Sequence, residues 1–381
     1  MKKDFIWIFL ILLLSVFILF FVFPNFFGGV SYKKNEQKVG TGTKEGNLVA
    51  NPLLPFDAVS YDKKINELAN NPPDPIVFNT VKTVEKGKNG KSITKITKVP
   101  ASPQPIRSHL WPVKTVYPKA GAILPFKRIV AYYGNLYSSK MGVLGQYPPE
   151  EVLTKLDEEV KKWEVADPNT PVIPALHYIA VVAQGFSGKD GKYRTRMPET
   201  EIDKVLAMAN KINAIVFLDI QVGFSTIEDE LPRLEKYFKL RNVHLGMDPE
   251  FSMKTGIRPG KIVGTYDAAD INFAANYLAR IVKENNLTPK ILVVHRYTGN
   301  MVTNYKEIKP LPEVQIVMDM DGWGTMAKKI GTYKSFIYPE PVQFTGFKLF
   351  YQNDVKTAGT VLMTPDDVLK LNPRPIYIQY Q

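Results

Sequence analysis

Two carboxylates, Asp248 and Glu250, end a strand-like stretch over residues 243–251. Residues two apart in an extended chain point to the same face, so both acids are predicted to share a face with His244. Pro249 lies between them and ends regular strand pairing, because proline has no backbone N–H. The acids therefore lie where a strand opens into a loop, and α/β scaffolds often build catalytic or binding sites at such places.

Other strand-like runs of the chain also end in polar side chains. The polar residues at those ends are Asp219, Gln221, His295, Arg296, Asp319, Asp321 and Gln379. Because parallel strands deliver their C-terminal ends to one face of a sheet, we expect these side chains to gather there with Asp248 and Glu250. Lys348, which has apolar neighbours on both sides, is expected to be buried against a carboxylate.

Aromatic residues fall at or just beyond the same strand ends. They are Tyr133, Tyr137, Phe224, Phe251, Tyr297, Trp323 and Tyr351. Flat apolar rings beside carboxylates suit a sugar, because its C–H face stacks on a ring while its hydroxyls bond to acids and amides. Rings that only plug the mouth of a barrel are the plainer explanation of this pattern.

Hydrolysis of a glycosidic bond needs one carboxylic acid with a raised pKa and one ionised carboxylate. The candidates for these catalytic roles are Asp219, Asp248, Glu250 and Asp321. Crowded carboxylates push each other's pKa values apart, which provides the acid and the base. The separation of the two carboxylates decides between retention and inversion, and the sequence does not give it. The predicted substrate-binding residues are Tyr133, Gln221, Phe251, His295, Arg296, Trp323, Lys348, Tyr351 and Gln379.

Two other uses of these residues remain open. His295 with Asp219 and Asp248 would make the metal set of a metal-dependent hydrolase, although no spacing such as HExxH supports it. A barrel that binds glycan without turnover needs only the aromatic rings. Because the sequence contains no metal-binding spacing of this kind, we assign no metal and no cofactor. His177 lies in mid-strand and is predicted to be a core residue.

A regular alternation of strand-like and helix-like patterns begins at Arg128. The predicted strands are residues 128–135, 172–182, 214–222, 243–250, 291–297, 314–321, 344–351 and 375–380. The predicted helices are residues 148–163, 199–212, 225–240, 267–285, 301–308 and 325–336, and one that begins at Thr364. This α/β pattern predicts a (β/α)8 barrel of the TIM type over residues 128–381 that lacks its eighth helix. A doubly wound sheet is disfavoured, because no glycine-rich phosphate loop follows the first strand.

The region before the barrel, residues 28–127, is predicted to be an extracytoplasmic linker rich in Pro and Lys, with two ordered pieces. Residues 60–70 predict a short helix, and residues 80–99 predict a β-hairpin. A barrel without its eighth helix exposes apolar strand surface, which normally acquires a cover. We therefore expect part of residues 50–127 to pack against the barrel, at the open seam or across its N-terminal end.

Residues 1–27 predict a cytoplasmic N-terminus and a transmembrane signal-anchor. Lys2 and Lys3 precede residues 5–23, an uncharged apolar run that nearly spans a bilayer core of ~30 Å. Only Gly28 and Gly29 resemble a cleavage site, so an uncleaved anchor is favoured over a removed signal peptide. The flanking lysines place the N-terminus in the cytoplasm and the main domain outside the cell membrane.

Composition and charge exclude several classes of function. The chain has no cysteine, so disulfides, thiolate metal sites and cysteine nucleophiles are excluded. The net charge is +12, but residues 1–127 hold 18 Lys and Arg against 8 Asp and Glu, and the remainder holds 31 against 29. A nearly neutral main domain argues against nucleic-acid binding. The expected partners are the lipid bilayer, through residues 5–23, and a carbohydrate or cell-wall polymer.

Several short segments resemble a family of exported bacterial proteins, many of them described as hypothetical proteins or lipoproteins of actinobacteria. The segments are residues 181–185, 218–221, 248–251, 293–295, 321–324, 346–351 and 362–365. The resemblance spans Arg128 to the C-terminus, and the Asp-Pro-Glu and Gly-Phe-Lys-Leu-Phe-Tyr pieces are its most specific parts. It implies an extracytoplasmic, barrel-like domain and brings no established activity. This chain departs from the family in having a membrane anchor and no lipid-modifiable cysteine.

Overall fold

Eight parallel strands form a closed barrel, as the alternating pattern predicts. The computed structural model describes residues 55–73, 78–86, 89, 91–100 and 109–381. The strands in these ranges are β1 Phe78–Lys86, β2 Ser92–Pro100, β3 Arg128–Gly134, β4 Val172–Ala183, β5 Arg194–Arg196, β6 Ile215–Ile220, β7 Val243–Met247, β8 Tyr266–Asp267, β9 Lys290–Arg296, β10 Val302–Thr303, β11 Val314–Met320, β12 Phe344–Leu349 and β13 Tyr377–Tyr380. The helices are α1 Ala58–Ala69, α2 Pro149–Ala166, α3 Glu199–Lys211, α4 Ile227–Glu230, α5 Glu235–Phe238, α6 Ala268–Glu284, α7 Met326–Phe336 and α8 Pro365–Leu369.

The barrel sheet has the order β3-β13-β12-β11-β9-β7-β6-β4, and pairing of β3 with β4 closes it. Ala131 of β3 lies opposite Ala175 of β4 on one side and Gln379 of β13 on the other, in parallel register. β5 pairs with β4 in the antiparallel direction and lies beside it, with Arg196 opposite Val181. All eight predicted barrel strands are therefore present, and their C-terminal ends share one end of the barrel.

Helices cover the outward faces of the strands with apolar residues at helical spacing. In α2, Val152, Leu156 and Trp163 are buried in the same cluster as the outward residues of β3 and β4. The outward residues of β13 are buried in one cluster with residues of α2 and α8, and these two helices contact each other. The Trp163 ring nitrogen donates to the Tyr380 hydroxyl at 3.0 Å. The two helices therefore cover the side of β13 that was predicted to expose apolar surface.

The predicted helix over residues 225–240 is divided into three pieces. These are α4, a 3-10 turn over Leu231–Leu234, and α5. Pro232 lies at the start of the turn, and proline has no N–H with which to continue an α-helical ladder. The helix is therefore divided by the proline in its own sequence.

The predicted helix over residues 301–308 is wrong. The chain there forms 3-10 turns at Gly299–Met301 and Tyr305–Glu307, on either side of β10. β10 pairs with β8, and Asn304 has a left-handed φ of 55°, which a right-handed helix does not accept. The barrel therefore has no α-helix between β9 and β11.

The segment before the barrel packs across the N-terminal end of the barrel. One apolar cluster joins Tyr61 of α1 and Leu124 to inward strand residues such as Phe217. The Gln315 side chain fixes the segment, because its oxygen accepts from the N–H groups of Ile123 and Leu124 at 3.2 and 3.1 Å. Its amide also donates to the Leu124 carbonyl at 2.6 Å. The prediction that part of residues 50–127 covers the barrel is confirmed.

The helix and the hairpin that the sequence indicates before the barrel are α1 and the antiparallel pair β1-β2. Asp57 begins α1, because its side chain accepts from the Ser60 N–H at 3.0 Å. Among the described residues, no helix has both the length and the apolar character needed to cross a membrane. The predicted span over residues 5–23 lies outside the described residues.

Candidate active site

A cavity of about 600 Å³ opens at the C-terminal end of the barrel. Its wall combines carboxylates, a lysine, an amide and aromatic rings from the ends of different strands. The lining includes Tyr133, Gln221, Asp248, Glu250, Phe251, Tyr297, Asp321, Trp323, Lys348 and Phe350. The structure thus brings together three of the four predicted catalytic acids and five of the nine predicted substrate-binding residues.

Asp248 is held in place at the end of β7. Its Oδ1 accepts from the backbone N–H of Glu250 at 3.1 Å, which caps the 3-10 turn Pro249–Phe251. Its Oδ2 accepts from Gln221 Nε2 at 3.2 Å. Burial raises the pKa of Asp248 well above its usual value, although attraction to His295 opposes the shift. Because both oxygens bond to the scaffold, Asp248 orients the turn that carries Glu250.

Glu250 is partly buried in the cavity wall. Burial raises the pKa of Glu250 above its usual value, and repulsion from the Asp321 carboxylate adds to the shift. Attraction to Lys348 and the hydroxyl of Tyr297 oppose it. A carboxyl group that keeps its proton to a higher pH than usual is suited to general acid catalysis.

Asp321 is the carboxylate of the cavity with the closest cationic partners. Lys348 Nζ lies 3.0 Å from Asp321 Oδ1, and His295 Nδ1 lies 3.3 Å from Asp321 Oδ2. Lys348 Nζ is also 3.8 Å from the centre of the Tyr133 ring. Burial opposes ionisation of Asp321, but attraction to Lys348 and His295 outweighs it and lowers its pKa. Asp321 is therefore an ionised carboxylate facing the cavity, and the expectation that Lys348 is buried against an acid is confirmed.

Below the cavity floor, inward side chains of five strands form a layer that we call the polar layer. Its members are His177, Asp219, His295, Asp319 and Gln379, and each is 0% exposed. The Tyr133 hydroxyl donates to Asp219 Oδ2 at 3.0 Å and accepts from Gln221 Nε2 at 3.2 Å. Tyr133 and Gln221 therefore connect the cavity wall to the layer beneath it.

Asp219 lies between two imidazole rings in the polar layer. Its Oδ1 is 3.7 Å from His177 Nε2, and its Oδ2 is 3.8 Å from His295 Nε2. Burial opposes ionisation of Asp219, but attraction to both rings lowers its pKa. Burial lowers the pKa of His177 to about 4, whereas carboxylates around His295 overcome the effect of burial and raise its pKa. Asp219 does not line the cavity, so the structure does not place it beside the other three predicted catalytic acids.

Four predicted substrate-binding residues do not line the cavity. His295 and Gln379 point inward but lie one layer too deep. Arg296 follows the inward His295, so it points to the opposite face, where it donates to carbonyls of the loop after β9. Tyr351 packs on Tyr380, with ring centroids 5.3 Å apart, and lies outside the cavity wall.

The structure places three further residues here, and the sequence pattern indicated only Tyr297, as one of the aromatic rings at the strand ends. Tyr297 and Phe350 line the cavity. His177 is buried as predicted, but it lies in the polar layer, where its Nδ1 is 2.6 Å from the Tyr377 hydroxyl. The sequence feature that could have identified His177 is its spacing from Ile179. The two residues are two apart on one strand and so point to the same side, and Ile179 lines the cavity.

Because Gly246 has no side chain, it leaves room for the His177 and Asp219 side chains of the polar layer. A Cβ on Gly246 would lie 2.3 Å from His177 Nε2 and 2.6 Å from Asp219 Oδ1. Gly246→Ala is therefore expected to destabilise the protein by about 1–3 kcal/mol, the usual cost of overpacking. Gly331→Ala in α7 is the control, because a Cβ there meets nothing within 4 Å and alanine favours a helix. Urea unfolding compares the two variants, and equal midpoints would contradict the described packing.

Comparisons with known proteins found likenesses of low sequence identity among solved structures. No protein-family model matches it, and no curated protein matches it. Among solved structures, a cellulase is 13% identical over 67% of this chain and 75% of that chain, with a TM-score of 0.38. A candidate alpha-L-fucosidase from Bacteroides thetaiotaomicron is 12% identical over 73% of this chain and 91% of that chain, with a TM-score of 0.36. At these identities and TM-scores, neither likeness assigns an activity to this chain.

Proposed function

We propose that the barrel is a glycoside hydrolase in which Glu250 is the general acid and Asp321 is the carboxylate that acts as nucleophile or base. One observation carries this proposal. Both side chains line one cavity, where Lys348 pairs with Asp321 while burial and repulsion from Asp321 raise the pKa of Glu250. Hydrolysis of a glycosidic bond requires such a pair, with one carboxyl protonated and the other ionised. Asp248 is a positioning residue, because its oxygens hold the turn of Glu250.

The cavity wall also supports sugar as the substrate class. Its aromatic rings are those of Tyr133, Phe251, Tyr297, Trp323 and Phe350. Such rings offer faces for the C–H side of a sugar, while the Gln221 amide and the carboxylates can bond to hydroxyls. Trp323 is 50% exposed at the rim, which suits a surface on which an incoming chain stacks. The cavity volume lies within the range of about 300–1,000 Å³ that is typical of ligand sites.

We place this activity outside the cytoplasm, on a cell-wall or extracellular glycan. The support comes from the sequence: residues 5–23 are apolar enough to anchor the chain, and Lys2 and Lys3 keep the N-terminus inside. The basic excess lies in residues 1–127, beside the proposed membrane surface. The nearly neutral remainder of the chain fits a carbohydrate partner better than a nucleic acid.

Glu250→Gln is expected to lower kcat on a wall glycan by about 10²–10⁴-fold, because an amide cannot donate the proton to the leaving oxygen. In the unmodified protein, activity is expected to fall as the pH rises through the raised pKa of Glu250, since the acid form is lost. Because the variant lacks this carboxyl group, its remaining activity is expected not to fall over the same pH range. The measurement is release of reducing ends from a panel of wall glycans across a pH series.

Glu228→Gln is the matched control, because it makes the same change at an exposed acid on α4 outside the cavity. Its kcat is expected to equal that of the unmodified protein. An unchanged kcat and pH profile for Glu250→Gln would remove the acid assignment. Binding of a glycan by the unmodified protein without any product would favour the alternative, a non-catalytic glycan-binding barrel.

A further inference from the structure

The polar layer contains a group of ligand atoms that the proposed hydrolysis does not use. We propose that His177, Asp219 and His295 bind a divalent transition metal ion such as Zn²⁺. One ligand atom from each residue can be chosen so that all lie within 4.8 Å of one another. Two imidazoles and one carboxylate are a donor set that such ions accept, with water completing the coordination. This inference does not depend on the proposed glycosidase activity.

The two histidines are oriented as metal-bound histidines usually are. Such a histidine gives one ring nitrogen to the ion, while a hydrogen-bonding group or carboxylate holds the other. His177 Nδ1 is 2.6 Å from the Tyr377 hydroxyl. His295 Nδ1 lies 3.3 Å from an oxygen of Asp319 and 3.3 Å from an oxygen of Asp321, as ion-pair contacts without hydrogen-bond geometry. The Nε2 atoms of both rings face Asp219, at 3.7 and 3.8 Å. The ring orientations therefore leave both Nε2 atoms free to bind the same ion.

The facing atoms lack other partners. His177 Nε2, His295 Nε2 and Asp219 Oδ1 are buried, and none has a hydrogen-bond partner among the described residues. Buried polar atoms without partners are uncommon, because they have given up water without a replacement. Ligand distances of about 2.0–2.2 Å put two tetrahedral ligands roughly 3.4 Å apart. The three ligand atoms lie within 4.8 Å of one another, so coordination would bring the most widely separated pair closer by up to about 1.4 Å. Gly246 leaves this space open.

Coordination by His177 Nε2 requires the tautomer with its proton on Nδ1. That proton can be donated to the Tyr377 hydroxyl, 2.6 Å away. Gln379 Nε2 lies 3.1 Å from Nδ1, whereas Gln379 Oε1 has no hydrogen-bond partner. Turning the amide over brings the oxygen to Nδ1 as an acceptor. The same contacts therefore accommodate the metal-binding tautomer.

The test is Zn²⁺ binding by the purified full-length chain. We expect one tightly bound Zn²⁺ per chain by elemental analysis and calorimetry, and two imidazole ligands in its X-ray absorption spectrum. Asp219→Asn and His295→Gln are expected to weaken binding by at least about 100-fold. His244→Asn is the matched control, because this buried histidine accepts from the Ile291 N–H at 3.1 Å and does not face Asp219. It should bind Zn²⁺ as the unmodified chain does.

Absence of stoichiometric binding by the folded, unmodified chain would overturn the proposal. So would equal affinity in Asp219→Asn, or a spectrum without imidazole ligands, since either result places the ion elsewhere. The absorption spectrum needs only the unmodified chain, so the test remains decisive where a variant does not fold. Because no readout is glycan hydrolysis, failure here leaves the proposed activity standing, and failure of that activity leaves the metal site standing.

Discussion

Asp321→Asn is expected to lower kcat for glycan hydrolysis by about 10³-fold or more, with a smaller change in KM. Asparagine keeps the shape of the side chain but removes its charge. The transition state of glycoside hydrolysis is positively charged at the sugar, so it loses the carboxylate that faces it. Single-turnover kinetics on a glycan that the unmodified protein cleaves would measure the chemical step directly.

The same substitution also leaves Lys348 without its partner, so the loss of activity needs a control for stability. Removing one member of a buried ion pair costs about 3–5 kcal/mol. Glu230→Gln breaks a second buried pair, Arg194 Nε to Glu230 Oε1 at 2.7 Å, and Glu230 does not line the cavity. We expect comparable thermal destabilisation in the two variants, but a large fall in kcat only for Asp321→Asn. Equal falls in kcat would contradict the role of Asp321.

Residue parity predicted the direction of the site side chains but not their depth. Asp248 and Glu250 lie at the end of β7 and line the cavity, as their spacing indicates. Asp219 and Gln379 also end strands and also face inward, yet both lie in the polar layer. Depth depends on the stagger of neighbouring strands around the barrel, which no single strand sequence contains. The sequence alone could therefore not predict which inward side chains line the cavity and which lie in the polar layer beneath it.

The sequence predicted strands better than it predicted connections. Each barrel strand is a short apolar run bounded by turn residues, because parallel strands are covered on both faces. The connection after β9 has a helix-like pattern, but pairing of β10 with β8 and the left-handed Asn304 decide its form. The pairing of β10 with β8 joins distant parts of the chain, so a local pattern cannot reveal it. The covering of β13 by α2 and α8 is likewise a tertiary effect.

The cover at the N-terminal end was predicted because a barrel without its eighth helix exposes apolar strand surface, and the stability of the protein tests how tightly that cover packs. Leu124→Ala is expected to lower the free energy of unfolding by about 2–5 kcal/mol. Leu124 is 0% exposed within the cluster of Tyr61 and Phe217. The Gln315 amide bonds to the N–H and to the carbonyl of Leu124, at 3.1 and 2.6 Å. The backbone is therefore held in place and cannot move to fill the space that the shorter side chain leaves.

Val59→Ala is the matched control for Leu124→Ala, because it also shortens an aliphatic side chain of the segment before the barrel. Val59 lies on α1 and is 82% exposed, so little apolar contact is lost, and alanine favours the helix. We expect its urea midpoint to stay at or slightly above that of the unmodified chain. Were Leu124→Ala and Val59→Ala to unfold at the same urea concentration, the segment would be a tether that contributes nothing to the barrel. A difference in the expected direction would show that the part of the segment around Leu124 belongs to the folded barrel domain.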